Sequence, residues 1–272
     1  MDIGQIFLDN YNQIKLFFTR LFSQRKIIFL TPLILWLLNQ LFLWRPKMFF
    51  PALAIGFFLI AVTVMGLTLG KRQTDWPLFF YFPFIFFLSS SLYSTLLPNF
   101  YVIQIIFFFA NLYIFSYFKN LYYFFRYEAP ERAHKLDTLT LLGNFLAVFF
   151  LASTIYGLPT FLGWSFWPLL FGFIILSIPL FFQPFVIFEI KFKINWPLII
   201  ASALVLLELA AIIHFLPLAY NVLGLFVGIF FYLLIYILRN ILAGDLSGYK
   251  LRLPLVFCLS IIVILLLSLN WF

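Results

Sequence analysis

The sequence is poor in charged residues, which occupy only 10% of its 272 positions, against roughly 25% in a soluble domain. Hydrophobic residues make up 65% of the chain, and its mean hydropathy is +1.10. So few charges cannot cover a globule in water, and most of the surface must therefore face lipid. This composition excludes a soluble globular protein and predicts an all-α, polytopic transmembrane helical bundle.

Cysteine and histidine are also scarce. Cys258 is the only cysteine, which excludes an intramolecular disulfide and a thiolate zinc cage. His214 is the only histidine within a predicted span, so one chain cannot supply two axial histidines to a haem in the membrane. Motifs for zinc, nucleophilic serine and phosphate-binding loops are missing from the sequence. We therefore predict no cofactor and no metal, and an enzyme is the last of the interpretations below.

Nine apolar runs have the length that crosses a hydrocarbon core of roughly 30 Å. They cover residues 27–44, 49–70, 78–96, 100–118, 139–158, 167–188, 197–216, 220–238 and 253–271. The connections after the third and seventh runs are very short, which predicts antiparallel helical hairpins. Residues 27–272 thus form a single transmembrane domain. Residues 1–26 carry apolar side chains at helical spacing and predict an amphipathic helix on the membrane surface; the alternative is a cytosolic extension of the first span.

Positive charge lies almost entirely on one side of this stack. Fifteen of the seventeen Lys and Arg residues fall there, and only Arg45 and Lys47 fall on the other side. The positive-inside rule then predicts a cytoplasmic N-terminus and a C-terminus outside. The net charge of +8 indicates contact with anionic lipid headgroups at the cytoplasmic face, not with nucleic acid. The longest connection, about 119–138, lies on this side, and its alternating charges are interpreted as a solvated surface.

Three markers recur at an offset of about 120 residues. Residues 71–78 resemble residues 191–198 around a Trp-Pro-Leu triplet, a Leu-Pro turn recurs at 97–98 and 216–217, and residues 119–121 resemble 239–241. One interpretation is a parallel repeat of four helices (27–121 and 139–241) plus an extra span at 253–271, with a pseudo-twofold axis along the membrane normal. The alternative is that Trp and Pro are independently favoured at span ends.

Glu208 is the only ionisable residue deep within a predicted span. We predict a neutral carboxylic acid that donates a hydrogen bond inside the bundle, because lipid disfavours the charged form. Polar residues at similar depth in other spans complete a predicted intramembrane polar locus of Glu208, Ser89, Ser90, Ser91 and Asn111. Helix packing, proton or cation coupling, and catalysis are the alternative roles. Gly224 and Gly228 form a GxxxG pattern that predicts close helix packing.

The last third of the chain resembles a family of uncharacterised polytopic membrane proteins, a domain of unknown function, from candidate-phylum bacteria. The resemblance rests on residues 207–209, 214–217, 224–226 and 232–234. Leu216 stands where that family is expected to have Trp. The resemblance implies a bacterial cytoplasmic (inner) membrane location and no activity.

Three function classes remain. The repeat and the lone carboxylic acid favour transport or handling of a small molecule or lipid. Short loops and an aromatic-rich surface favour a scaffold or subunit, so other membrane subunits are expected partners. A transferase that acts on a lipid-linked substrate is the third class, in which Glu208 or the loop carboxylates would have to act. A cluster of Glu128 or Glu131 with cations in a membrane-facing cleft would favour it.

Overall fold

The chain is almost entirely helical in the part that the computed structural model describes, namely residues 24–68, 76–127, 130–187 and 196–242, with 252, 255, 256, 258–261 and 263. Eight α-helices and one short 3-10 helix are present there, and no strand occurs among these residues. The helices are α1 (Gln24–Trp44), α2 (Phe49–Thr68), α3 (Trp76–Ser94), α4 (Phe100–Tyr127), α5 (Pro130–Leu162), α6 (Phe166–Ile187), α7 (Trp196–Ile213) and α8 (Tyr220–Leu242). The 3-10 helix Pro46–Met48 joins α1 to α2.

Seven of these helices are long and apolar enough to cross a membrane. Helix α6 has 22 residues and is apolar as well. The predicted all-α bundle of membrane type is therefore confirmed. The predicted ninth span, 253–271, lies largely outside the described residues, although Cys258 packs against Ile229 and Leu233 of α8. The predicted surface helix at 1–26 lies almost wholly outside them, so it stays a prediction.

Contacts between helices show that successive helices run in opposite directions. Near one end, Gln40 of α1 and Gln104 of α4 exchange two amide hydrogen bonds of 2.7 and 2.8 Å. At the other end, Arg239 of α8 forms an ion pair with Asp137 of α5. We call the second end, which carries Lys26, Lys119, Lys135 and Arg239, the basic end. The short turns that lead from α3 to α4 and from α7 to α8 confirm the two predicted hairpins.

The connection predicted at 119–138 is helical in its described part, as expected for its aromatic first half but not for its charged second half. Helix α4 continues to Tyr127, and α5 already begins at Pro130. Proline suits the first turn of a helix because its missing N–H would have no helical partner there. The charged stretch after Pro130 is therefore the first part of α5, and its side chains are held on defined faces of a helix.

Helices α3 and α5 form the centre of the bundle. Each packs against four of the other described helices: α3 against α2, α4, α5 and α6, and α5 against α3, α4, α6 and α8. Aromatic side chains fill this centre, and many are fully buried, including Phe79, Phe82, Phe86, Phe87, Phe107, Tyr117, Phe173, Phe181 and Phe231. Because lipid is as apolar as these side chains, van der Waals packing holds the helices together instead of exclusion from water.

The two proposed halves have the same internal neighbours. In the first half, α1 packs on α2 and α4, α2 on α3, and α3 on α4; the corresponding pairs recur among α5–α8. The halves meet through α3 and α4 against α5, and α3 against α6. A twofold axis would require an equally extensive contact of α7 with α1, which does not occur between these described helices. The two halves therefore contact each other through different helices, and the predicted pseudo-twofold arrangement is wrong. The duplication itself stays a prediction.

Helices α5 and α8 share the most extensive contact in the described bundle. A Cβ atom on Gly224 would lie 2.1 Å from Ser153 Oγ and 2.6 Å from the Ser153 backbone nitrogen. Four residues on, a Cβ on Gly228 would meet Phe145 Cε2 at 3.2 Å. Gly224 thus lets the backbones of the two helices touch, which is the role that small residues play at helix contacts in membranes.

We expect Gly224→Ala to destabilise the protein by about 1–3 kcal/mol, because the added methyl group overpacks a contact made by backbone atoms. Thermal unfolding in detergent measures this loss. Gly172→Ala on α6 is the matched control, since a Cβ there has no heavy atom within 4 Å. The control should melt at the same temperature or slightly higher, because alanine favours helices by up to about 1 kcal/mol over glycine. Equal melting of both variants would contradict the close contact.

Candidate functional site

Glu208 does not lie inside the bundle, so its predicted location is wrong. Its side chain is exposed on the outer face of α7, together with Leu204 and Val205. Helix α7 packs extensively only on α6 and α8 among the described helices, so its remaining face points outward. The sequence predicts how deep Glu208 lies in its span, but it does not predict on which face of α7 the side chain lies. A charge at such a depth costs roughly 2.5–3.5 kcal/mol or more in lipid.

The other members of the predicted polar locus are buried but do not form one site. Ser89 and Ser90 donate to carbonyl oxygens of their own helix, Phe86 O and Phe87 O, at 3.2 and 3.0 Å. Ser91 donates to Asn39 Oδ1 of α1 at 3.1 Å. Asn111 donates to Phe107 O of its own helix at 2.7 Å. The Ser91–Asn39 bond joins α1 to α3, which is a structural role. Asn39 Nδ2 and Asn111 Oδ1 are buried without a hydrogen-bond partner in the described part of the chain.

A shallow, widely open cleft lies between α4 and α5 at the basic end, and several charged or hydrogen-bonding side chains line it. Its volume is about 610 Å³, and one polar residue of α4 and the first turns of α5 line it: Asn120, Glu131, His134, Lys135, Thr138 and Leu139. The members at 131, 135, 138 and 139 recur at the spacing that places residues on one face of a helix. No group of three or more metal-ligating residues occurs in the described part of the chain, and the cleft combines a cation, a carboxylate and an imidazole instead.

An apolar groove lies beside this cleft, between the same two helices. Its volume is about 410 Å³, within the range of roughly 300–1,000 Å³ that ligand pockets have. Three helices line it: Phe86 of α3; Ile105, Ile106, Phe109, Ala110, Leu112, Tyr113 and Ser116 of α4; and Leu142, Leu146 and Phe150 of α5. Phe109, Leu112 and Leu142 are exposed at its rim. The groove is therefore open to the side, where lipid surrounds the bundle.

The cleft and the groove follow one another along the helix pair. On α4, Ser116 of the groove is one turn from Asn120 of the cleft, and Asn120 Nδ2 donates to Ser116 O at 2.8 Å. On α5, Leu142 of the groove is one turn from Leu139 of the cleft. We call the two together the α4–α5 groove. It is polar at the basic end and apolar toward the interior of the bilayer.

Tyr113 and Gly143 set the depth of the α4–α5 groove. The Tyr113 hydroxyl of α4 donates to the backbone carbonyl of Leu139 on α5. A Cβ on Gly143 would lie 2.7 Å from Tyr113 Cε1 and 2.3 Å from Phe82 Cζ, so only glycine leaves room for both rings. The rings of Tyr113 and Phe82 therefore form the floor of the groove, deep between α4 and α5. Above this floor the two helices stay apart.

An ion pair on the opposite face of α5 fixes the start of this helix. Asp137 is only 3% exposed, and its carboxylate contacts the Arg239 guanidinium of α8. Glu131, His134, Lys135 and Thr138 face the cleft side and are exposed. The first turns of α5 are thus clamped to α8 on one face while they line the cleft on the other.

The sequence did not favour this site, because the alternating charges of 119–138 were interpreted as a solvated surface; a cluster of loop carboxylates and cations was considered only for the transferase. The signal was the three- to four-residue spacing of the polar residues from 131 to 138, which has meaning only if the segment is helical. Comparisons of the chain with family models, curated proteins and solved structures gave no match. The resemblance of the last third of the chain therefore stays a prediction.

We expect Arg239→Ala to destabilise the protein strongly, by about 3–5 kcal/mol, because it leaves the Asp137 carboxylate buried without its partner charge. Lys119→Ala removes an exposed cation of the same end and should change stability by less than about 1 kcal/mol. Thermal unfolding of both variants in detergent measures the difference. An Asp137→Asn change in the Arg239→Ala background should restore part of the loss, and its failure to do so would contradict a clamp made by this pair.

Proposed function

We propose that the protein binds and handles a membrane lipid with an anionic phosphate headgroup, and that the α4–α5 groove is the binding site. The observation that carries this proposal is the order of polar and apolar lining along one helix pair. A lipid has the same order, with a charged headgroup at the membrane surface and a chain that points to the bilayer centre. Since the groove opens to the side, a lipid can enter it from the bilayer.

The length of the apolar part supports a lipid chain as its occupant. From Ile105 to Ser116, α4 rises about 17 Å at 1.5 Å per residue. One leaflet of a hydrocarbon core of roughly 30 Å is about 15 Å deep. The apolar walls therefore extend over about one leaflet, and one lipid chain would lie against them along its length.

The chemistry of the cleft supports a phosphate headgroup. Lys135 provides a cation, and His134 and Asn120 provide side-chain N–H donors. These residues lie near the start of α5, where the positive end of the helix dipole favours an anion. Lys119 and Arg126 add exposed positive charge at the same end. The Glu131 carboxylate repels an anion at the rim of the cleft. A bound phosphate would therefore lie away from Glu131, so the cleft fixes the position of the phosphate as well as favouring its charge.

The proposal includes a location. The order of the predicted spans places fifteen of the seventeen cations on the side of the basic end, which supports a cytoplasmic basic end, a cytoplasmic N-terminus and a C-terminus outside. The proposed membrane is the bacterial cytoplasmic membrane, as the family resemblance implies. The bound lipid would then belong to its inner leaflet.

A transferase acting on a lipid-linked substrate is the second candidate. This candidate is supported by the cleft that Glu131 shares with His134 and Lys135. A carboxylate and an imidazole can exchange protons with a reacting group, and a cation can lie beside that group. A scaffold without chemistry of its own is the third candidate, and the exposed carboxyl group of α7 supports it.

We expect Lys135→Gln to lower the preference for phosphatidylglycerol over phosphatidylcholine about fivefold, because one lysine near a headgroup contributes about 1 kcal/mol. Native mass spectrometry of the detergent-solubilised protein, titrated with each lipid, measures the preference. Lys47→Gln removes an exposed cation at the opposite end and is the matched control. Ser116→Phe should weaken binding of both lipids, because the ring fills the apolar groove. Equal effects of Lys135→Gln and Lys47→Gln would contradict the proposed site.

Glu131→Gln separates lipid binding from group transfer. We expect it to raise phosphatidylglycerol binding, because it removes a negative charge from the cleft, while lipid incubated with the wild-type protein stays chemically unchanged. Thin-layer chromatography of headgroup-labelled phosphatidylglycerol after incubation in vesicles measures the second point. A new labelled product that disappears with Glu131→Gln would replace the binding proposal with the transferase.

A further inference from the structure

The face of α5 that lines the α4–α5 groove has a fixed order of polarity from the basic end inward. Glu131, Lys135 and Leu139 line the cleft, and Leu142 and Leu146 line the apolar groove. Their spacing of three or four residues places all of them on one face of the helix. Since α5 begins at the basic end, the order along this face is a carboxylate, then a cation, then apolar side chains.

The Glu131 carboxylate is not paired with the arginines of this segment, because those arginines contact aromatic rings. The Arg132 guanidinium lies over the Tyr123 ring, 5.1 Å from its centroid, and the Arg126 guanidinium lies over the Tyr122 ring at 5.5 Å. No ion pair joins Glu131 to a cation among the residues that the structure describes. Glu131 is exposed and lines the cleft, so its carboxylate is available to a charged group of a ligand.

We propose that the lipid in the α4–α5 groove is an aminophospholipid with a primary ammonium group, as in phosphatidylethanolamine, and that Glu131 selects this headgroup. The inference rests on the proposed function, because it specifies the headgroup of the lipid that the groove holds. Such a lipid has its ammonium group outermost, its phosphate next and its chains innermost. Glu131, Lys135 and the apolar groove follow one another along α5 in the complementary order.

The spacing of Glu131 and Lys135 fits this headgroup. Residues four apart on a helix have Cβ atoms about 5–6 Å apart, and the O–C–C–N linkage of ethanolamine phosphate separates its two charges by a similar distance. A primary ammonium group donates hydrogen bonds to a carboxylate, and such charge-assisted bonds are stronger than neutral ones. The quaternary ammonium of phosphatidylcholine has no N–H to donate, and phosphatidylglycerol brings no cation to Glu131. The cleft therefore distinguishes the three headgroups.

Substitution of Glu131 tests the headgroup, because two lipids should respond in opposite directions. Native mass spectrometry of the detergent-solubilised protein compares the three lipids with identical chains, and the wild-type protein should bind phosphatidylethanolamine most strongly. Glu131→Gln should lower this binding about fivefold, the loss of one exposed charge pair, while phosphatidylglycerol binding rises. Glu208→Gln makes the same change outside the groove and should alter neither. Glu131 also lies in the first turn of α5, where a carboxylate stabilises a helix, and an equal loss of both lipids would reduce it to that role and overturn the proposal.

Exchange of the two charges tests their order along α5. The double variant Glu131→Lys with Lys135→Glu keeps the net charge of the cleft but places the cation outermost. We expect it to lose the preference for phosphatidylethanolamine over phosphatidylcholine, and thermal unfolding checks that it folds. A folded double variant that keeps this preference would overturn the proposal.

Ser116→Phe separates failure of the headgroup from failure of the lipid site. If it leaves the binding of all three lipids unchanged, the groove is not the lipid site and the proposed function fails together with this inference. If it weakens the binding of all three, while Glu131→Gln changes phosphatidylethanolamine and phosphatidylglycerol binding equally, the groove holds a lipid and only the selection by Glu131 is overturned.

Discussion

The contact between α5 and α8 is the constraint on which the rest of the bundle depends. Lipid provides no hydrophobic force between helices, so the bundle depends on contacts closer than lipid chains can make. Gly224 provides such a contact with Ser153 toward one end of the pair, and the Asp137–Arg239 ion pair joins the same two helices at the basic end. Two unlike interactions, one steric and one ionic, thus hold α5 at both ends.

The fixed position of α5 explains why a groove remains on its other side. Helix α4 meets α5 over large rings, and Tyr113 bridges to the Leu139 carbonyl, so these two helices cannot approach as closely as α5 and α8 do. One side of α5 is therefore packed on α8, and its other side forms a wall of the α4–α5 groove. The polar turns at its start acquire a defined position only because Asp137 anchors them from behind.

Most of the architecture could be predicted from the sequence, because the bilayer reduces the choice to apolar helices of a set length. Each of the first eight predicted runs overlaps one α-helix of the described part, with ends that differ by a few residues, and both short hairpins are present. The candidate site could not be predicted in the same way. Its polar residues lie in 119–138, where charge alternation looks the same for a loop and for a helix.

Glu208 shows a second limit on what the sequence can predict, namely the direction in which a side chain points. Hydropathy gives the depth of a residue in a span but not the direction of its side chain, because α7 is apolar on all sides. The proposed repeat would have given the direction, since Glu208 corresponds to Leu88 at an offset of 120 and Leu88 lies on the outer side of α3, only partly buried. Helix α3 has four helical neighbours because the second half packs on the first. Helix α7 packs extensively on only two of the described helices, so the carboxyl group at the equivalent position is exposed.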